Sequence, residues 1–322
     1  MKSVEDRVVG VHLFPIKSCQ EATIDGKLPE ALAVGETGFE HAGVADRGLV
    51  IRDETDLFVS QRGWNADHAR KHVGDTALAG VAVDISNGLI TVSAEAHGSL
   101  TFPTNPVEAE SRPVKIFGPE LFATDLGDEP AQFFSELLGR AVRLAKADKS
   151  RPRMLGASYQ RPGAANMSAA ADGRPFSVAS QASLDRLHEL VGWPVGRLPL
   201  NRYRANIDIC GDGFGPFGED EVAEWRIADV TMYGVKALPR CPMPNFDQET
   251  GEDDRLSTKL LSRTRMGWPV GTDTSQRAEP IFAQSLNHVV PIAEDRIIRV
   301  GDTVTAIAVT EPNVILKDTM LR

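Results

Sequence analysis

Leu78-Ala79-Gly80-Val81-Ala82-Val83-Asp84-Ile85, then Ser86-Asn87-Gly88, then Leu89-Ile90-Thr91-Val92-Ser93-Ala94 is the stretch that sets the fold class. Asn-Gly tolerates the left-handed backbone of a tight hairpin turn, and the flanking runs are rich in β-branched residues. Two antiparallel strands, Leu78 to Ile85 and Leu89 to Ala94, are therefore predicted. The same grammar recurs on both sides. Val8 to Phe14 alternates roughly, and Gly48 to Arg52 with Asp56 to Ser60 reads as a hairpin around Asp53-Glu54-Thr55. Val114 to Phe117, Leu121 to Thr124, Ile207 to Cys210, Val230 to Val235 and Val304 to Val309 are further strands. Helices are few. Asp128, with Glu129 and Pro130 in the first turn, opens one with a Phe133, Phe134, Leu137, Leu138 stripe that Gly139 ends. Ser180 caps a second, with Leu184, Leu187, His188 and Val191 at helical spacing. Leu256 to Met266 is a basic third, after an acidic turn. A mainly β fold follows, with a β-barrel-like core rather than a doubly wound sheet.

At 322 residues the chain is long enough for two ordinary domains. Pro103, Pro106 and Pro113 interrupt a polar stretch that is the best candidate boundary. Arg151 to Gly173 lacks a period and reads as a mobile rim of the active site. A net charge of −10 argues against a nucleic-acid surface, yet Arg47, Arg62, Arg202, Arg204 and Arg240 could still converge on a local basic pocket. No secretory signal and no membrane-length apolar run is visible. Three scattered cysteines, Cys19, Cys210 and Cys241, form no CxxC pair, which fits a reducing cytoplasm and leaves an iron–sulfur cluster without its usual ligands. His68 and His72 have the spacing of helical metal ligands, but Arg70 and Lys71 between them favour a solvated basic helix. Asp247 to Asp254 lacks the calcium-loop pattern and reads as an exposed turn.

Lys236-Ala237-Leu238-Pro239-Arg240-Cys241-Pro242, followed by Asn245-Phe246-Asp247-Gln248-Glu249-Thr250-Gly251, holds the constellation with most chemical content. Arg240 beside Cys241 favours the thiolate, the form that ligates a soft metal. Pro239 and Pro242 stiffen both flanks. A free cysteine is more often a small buried hydrophobe, and spacing alone does not overturn that. Five other pieces do. Leu13-Phe14-Pro15-Ile16-Lys17-Ser18-Cys19, Asp46-Arg47-Gly48-Leu49-Val50, Ser60-Gln61-Arg62, Pro175-Phe176-Ser177-Val178-Ala179-Ser180-Gln181-Ala182-Ser183-Leu184 and Tyr203-Arg204-Ala205-Asn206 precede it in order. Together the six resemble the MOSC domains, the module named for the C-terminal part of molybdenum cofactor sulfurase. The nearest subgroup is the one containing the mitochondrial amidoxime-reducing component and its bacterial relatives.

The resemblance implies a smaller β-rich N-terminal domain over residues 1–112, whose opening strand can pack on the second domain, and a β-barrel MOSC domain over residues 113–322. It implies a molybdopterin-type molybdenum cofactor, with Cys241 as protein ligand to the metal and Arg240 beside it. Lys17, Ser18, Arg47, Ser180, Arg204 and Asn206 would grip the cofactor. Without the resemblance, Lys17 would be a solvated strand end, Asp46-Arg47 a surface ion pair and Ser180 only a helix cap. A helix start also offers N–H groups to an anion, so cap and cofactor grip can coexist. Asn245 stands where relatives often carry threonine, and would donate hydrogen bonds to an oxo group or substrate. The chain departs from the pattern by lacking an upstream cysteine in the Cys241 motif and by Ala205 in place of a common proline. The resemblance also implies the family's general association with pyridoxal phosphate binding.

The implied activity is reduction of N-hydroxylated compounds at a molybdenum centre in the cytoplasm. Because the chain stops soon after Val309, electrons are expected from an external electron-transfer protein or reductase. Two alternatives remain open: a sulfur-carrying protein with a persulfide on Cys241, and a non-catalytic carrier of the cofactor. The residues leave the substrate and the oligomeric state open.

Overall fold

The computed structural model describes residues 5–63, 72–105, 110–289 and 296–317. Seven strands close into a barrel: β1 (Glu5–Val11), β2 (Phe176–Ser180), β3 (Ile207–Cys210), β4 (Val222–Ile227), β5 (Val230–Pro239), β6 (Glu279–His288) and β7 (Thr303–Val309). They run in the order β2-β3-β1-β7-β4-β5-β6, and the β2–β6 pairing completes the ring. Closure removes the unpaired edges that an open sheet would expose. All these neighbours are antiparallel except β2 and β3, which pair Val178 with Ile207 in parallel. A parallel pair needs a long crossover, and helix α2 (Gln181–Leu190) lies within it.

Three four-stranded sheets surround the barrel. One joins Arg112–Val114, Leu121–Asp125, Val142–Ala147 and Leu49–Asp53; a second joins Ala22–Ile24, Ala82–Ser86, Leu89–Ala94 and Gly98–Pro103. The third joins Ile297–Arg299, Ala31–Gly35, Gly38–His41 and Val44–Ala45. The Asn87-Gly88 hairpin forms, with both residues at positive φ and Ile85 opposite Ile90. Its first arm begins later than expected, because Val73–Gly80 winds as a 3-10 segment that buries Leu78 and Ala79. Asp53 organises the other expected hairpin by accepting from the backbone N–H groups of Thr55 at 2.8 Å and Leu57 at 3.1 Å, and the returning arm pairs only through isolated bridges.

Helix α1 (Asp128–Leu138) ends on left-handed Gly139 and buries Phe133, Phe134 and Leu138. Ser180 caps α2 by accepting from the Ser183 N–H at 3.3 Å. Helix α3 (Leu256–Thr264) stops before Met266, which starts a short strand. Arg151 to Gly173 is not structureless: Arg153–Met154 pairs with Met167–Ser168, and buried Arg153 donates to the carbonyls of Pro119 and Ala171. His68 lies outside the described residues, and His72 immediately precedes the 3-10 segment.

Strand β6 has no counterpart among the expected strands. Its residues Gln284, Ser285, Asn287 and His288 are polar and buried, so no apolar alternation marks it. Gln284 accepts from the buried Trp225 indole at 2.8 Å and donates to the Val222 carbonyl at 3.0 Å. On β5, a Cβ on Gly234, which pairs with Leu286, would fall 2.3 Å from the Val222 oxygen, so only glycine fits there. The ladder shifts register between Gly234 and Lys236, a bulge that re-aims the last residues of β5.

Just past the end of β1, His12 lies between Glu21 and Asp208, each 3.0 Å from a ring nitrogen. Burial alone would push the imidazole down, but the two carboxylates prevail and raise it to about 10. Unfolded histidine titrates near 6.5, so this stabilisation is full below about pH 6.5 and is lost as pH rises through about 10. The gap in unfolding free energy between wild type and His12→Gln, read by urea titration, should be widest near pH 6, on the order of a few kcal/mol, and close toward pH 10. A gap independent of pH would show that His12 is not the charged member of this cluster.

Candidate functional site

The end of β5, the turn after Phe14 and the segment before β2 meet around a cavity of about 200 Å³. Its lining includes Lys17, Ser18, Arg47, Arg204, Asn206, Arg240 and Cys241, so seven of the nine residues singled out above converge. Six cations, Lys17, Arg47, Arg174, Arg202, Arg204 and Arg240, face one carboxylate, Asp172. In a chain of net charge −10 that concentration creates a local positive field.

Each cation is held by identifiable contacts. Ser18 and Arg47 both take positive φ, which turns the chain sharply at the two sequence motifs. Lys17 sits 2.5 Å from Asp172 and 5.1 Å from the Phe58 ring centroid. Burial draws its ammonium below the ordinary lysine range, and Asp172 resists that shift. The Asp172 side chain is half exposed; what burial it has disfavours ionisation, but Lys17 outweighs this and holds the carboxyl low. Arg47 pairs with Asp46 and donates to the Arg204 carbonyl at 2.9 Å. Arg204 donates to Gln248 Oε1 and to the Cys19 carbonyl, both at 2.7 Å. Phe14 carries both guanidiniums, at 4.8 Å for Arg47 and 4.2 Å for Arg204. Burial, with Arg47 close by, pulls Arg204 down to about 9.

Arg240 donates to the Tyr203 carbonyl and is lowered by burial, with Cys241 and Tyr203 opposing the shift. Cys241 follows it at the rim, partly exposed and without a disulfide. Several donors at the cavity have no acceptor among the described residues: Ser18 Oγ, Nε and Nη2 of Arg174, and the Nε atoms of Arg202 and Arg240. Buried donors without partners are costly, so Ser18, Arg202 and Arg240 are suited to an acceptor-rich, anionic group, while Arg174 keeps two unmet donors of its own.

Two expected residues lie apart from the cavity. Asn245 accepts from the Thr258 N–H at 2.9 Å and donates to its hydroxyl at 2.8 Å, which ties the Cys241 turn to α3. Ser180 is buried at the α2 cap. Asn206 lines the cavity, yet its side chain accepts from the Ser177 N–H at 3.2 Å and so also clamps β2. Cys19 is buried under Arg204, and burial pushes its thiol up to about 12. Cys210 ends β3. Arg62 lies over Phe117 at 4.3 Å rather than in the lining. The Asp247–Asp254 turn is less exposed in role than expected, because both end carboxylates reach Arg202 at 2.7 Å. Asp172, Arg174 and Phe14 were not singled out from sequence as members of the site. Asp172 and Arg174 sit in an irregular segment, and Phe14 reads as core.

Among the described residues no helix is long and apolar enough to cross a membrane. The family model for the MOSC N-terminal beta barrel domain matches residues 5–141, and that for the MOSC domain matches residues 166–305. Mitochondrial amidoxime-reducing component 1 of Mus musculus is 27% identical over 309 residues, covering 92% of this chain and 81% of the relative. Mitochondrial amidoxime reducing component 2 of Bos taurus is 27% identical over 254 residues, covering 76% of this chain and 67% of the relative. Molybdenum cofactor sulfurase of Danio rerio is 22% identical over 279 residues, 81% of this chain but 30% of that protein. The two domain matches account for most of the barrel and of the sheets around it. The chain belongs to the MOSC-domain family and carries the family's N-terminal beta barrel domain ahead of its MOSC domain.

Proposed function

We propose that the protein is a molybdenum-cofactor-dependent oxidoreductase that reduces N-hydroxylated compounds with electrons from a separate partner. The observation that carries this reading is a partly exposed thiol, Cys241, at the rim of a cavity lined by Lys17, Arg47, Arg202, Arg204 and Arg240, with unsatisfied donors on Ser18, Arg202 and Arg240. A pterin dithiolene with its phosphate is anionic and acceptor-rich, and its metal accepts a thiolate, so the residues fit the group. Lys17, Ser18, Arg47, Arg204 and Arg240 would hold it, and Cys241 would be the protein ligand. The chemistry the cofactor supplies when bound is two-electron reduction of an N–O bond.

The balance is R–NHOH plus two electrons and two protons giving R–NH2 plus water. Arg47, Arg204 and Arg240 are tied to backbone carbonyls, and the Lys17–Asp172 pair, whose carboxylate is half exposed, is the cavity's proton-bearing contact to solvent. Electrons come from elsewhere in this reading, since Cys19, Cys210 and Cys241 lie at three separate places and cannot share a cluster. The purified, molybdenum-loaded protein should therefore reduce an N-hydroxylated substrate with reduced viologen and show no turnover with NADH alone. Steady NADH oxidation coupled to substrate loss, with no other protein present, would refute the partner requirement. Stoichiometric molybdenum without any turnover would instead identify a carrier, and a Cys241 persulfide without molybdenum a sulfur-handling protein.

A further inference from the structure

Arg174 stands apart from the other cations of the cavity. It is 9% exposed, yet among the described residues it makes no hydrogen bond and no ion pair. Its one partner among the described residues is the Tyr159 ring, whose centroid lies 3.7 Å from the guanidinium carbon. Burial draws it down to about 10, so it stays cationic at neutral pH. Arg47, Arg204 and Arg240 are each tied to a backbone carbonyl, and Lys17 to Asp172. Arg174 is pre-positioned and unused.

The two unsatisfied atoms, Nε and Nη2, form one straight edge of the guanidinium. That edge offers two parallel N–H bonds at the spacing of the two oxygens of a carboxylate. The ring that fixes it is at the solvent side: Tyr159 is 37% exposed, and Lys236 Nζ lies 5.7 Å from its centroid on the strand that leads to Cys241. A group that exchanges every turnover can meet the unpartnered edge beside this exposed ring, whereas Arg47 and Arg204 are already committed to backbone carbonyls and to the Phe14 ring. We propose that Arg174 receives a carboxylate on the substrate, so that the preferred N-hydroxylated compounds are anionic ones. The reductase reading supplies only the reacting N–O group; the carboxylate receptor stands on Arg174 itself.

Two arms separate the two ideas. In the first, benzoate and its uncharged analogue benzamide are titrated into wild type, Arg174→Gln and Arg174→Lys, followed by calorimetry. Benzoate should bind wild type at least about tenfold more tightly than either variant, because lysine keeps the charge but not the paired edge. Equal benzoate affinity in wild type and Arg174→Gln, or none in wild type, overturns the proposal. In the second, molybdenum-loaded protein with reduced viologen is given benzamidoxime or 4-carboxybenzamidoxime. Arg174→Gln should raise KM for the carboxylate substrate about tenfold or more, with kcat, the neutral substrate and the molybdenum content unchanged. A fall in molybdenum content would instead place the cofactor phosphate at Arg174 and overturn the proposal. If wild type reduces neither compound, the reductase reading fails, and the benzoate titration still decides the role of Arg174.

Discussion

Cys241→Ser is expected to drop viologen-driven reduction of an N-hydroxylated substrate to background while the protein unfolds at nearly the same temperature. The thiol is partly exposed and makes no hydrogen bond among the described residues, so exchanging sulfur for oxygen removes little packing. A change at such a position is usually worth less than about 0.5 kcal/mol of stability. The chemistry, in contrast, changes kind. A hydroxyl stays protonated at neutral pH and its oxygen is a hard donor, whereas a thiolate is the soft ligand that a dithiolene-bound metal accepts. X-ray absorption should show one sulfur scatterer fewer at the metal in the variant. An unchanged sulfur count, with activity lost, would mean that Cys241 acts in some way other than ligation. Cys19→Ser and Cys210→Ser should keep both the metal and the sulfur count. Cys19→Ser should cost stability instead, since it places a hydroxyl in a fully buried site.

What could be read from the chain in advance depended on whether the signal was local. The Asn87-Gly88 hairpin, the Ser180 cap and the Gly139 stop are local devices, and each forms where its residues stand. Barrel closure is not local. It needs β2 to pair with β6 across a hundred residues, and β6 hides its strand character behind buried polar side chains such as Gln284 and Asn287. The convergence of Lys17, Arg47, Arg204 and Cys241 was legible only through the resemblance, because four motifs far apart in sequence carry no mark of their meeting. Asp172 and Arg174 were hidden for a different reason. They lie in the segment from Arg151 to Gly173 or just past it, where no period exists to show which side chains point inward. Asn245 misled in the opposite direction: it belongs to a conspicuous motif, but its amide caps the Thr258 backbone instead of facing the cavity.

Arg204→Met is expected to have the second largest effect, on cofactor retention rather than on the metal bond. Arg204 is 6% exposed, and its charge is opposed by burial and by Arg47, with both guanidiniums on the Phe14 ring. A buried cation beside a partly buried one is unfavourable until an anion meets them, so anion binding and Arg204 are thermodynamically linked. Inorganic phosphate should therefore raise the melting temperature of wild type, and raise that of Arg204→Met much less. The variant should hold roughly a tenth or less of the wild-type molybdenum, since a charge-assisted contact to phosphate is worth about 1.5–3 kcal/mol, or about ten- to a hundredfold in affinity. It should also lose about 2 kcal/mol of stability, because the Cys19 carbonyl and Gln248 Oε1 lose their donors. Arg204→Lys should not restore retention, because one ammonium cannot serve both acceptors and still lie flat on Phe14. Equal stabilisation of wild type and Arg204→Met by phosphate would mean that the anion binds elsewhere, and that this arginine serves only to tie the turn after Phe14 to the Gln248 loop.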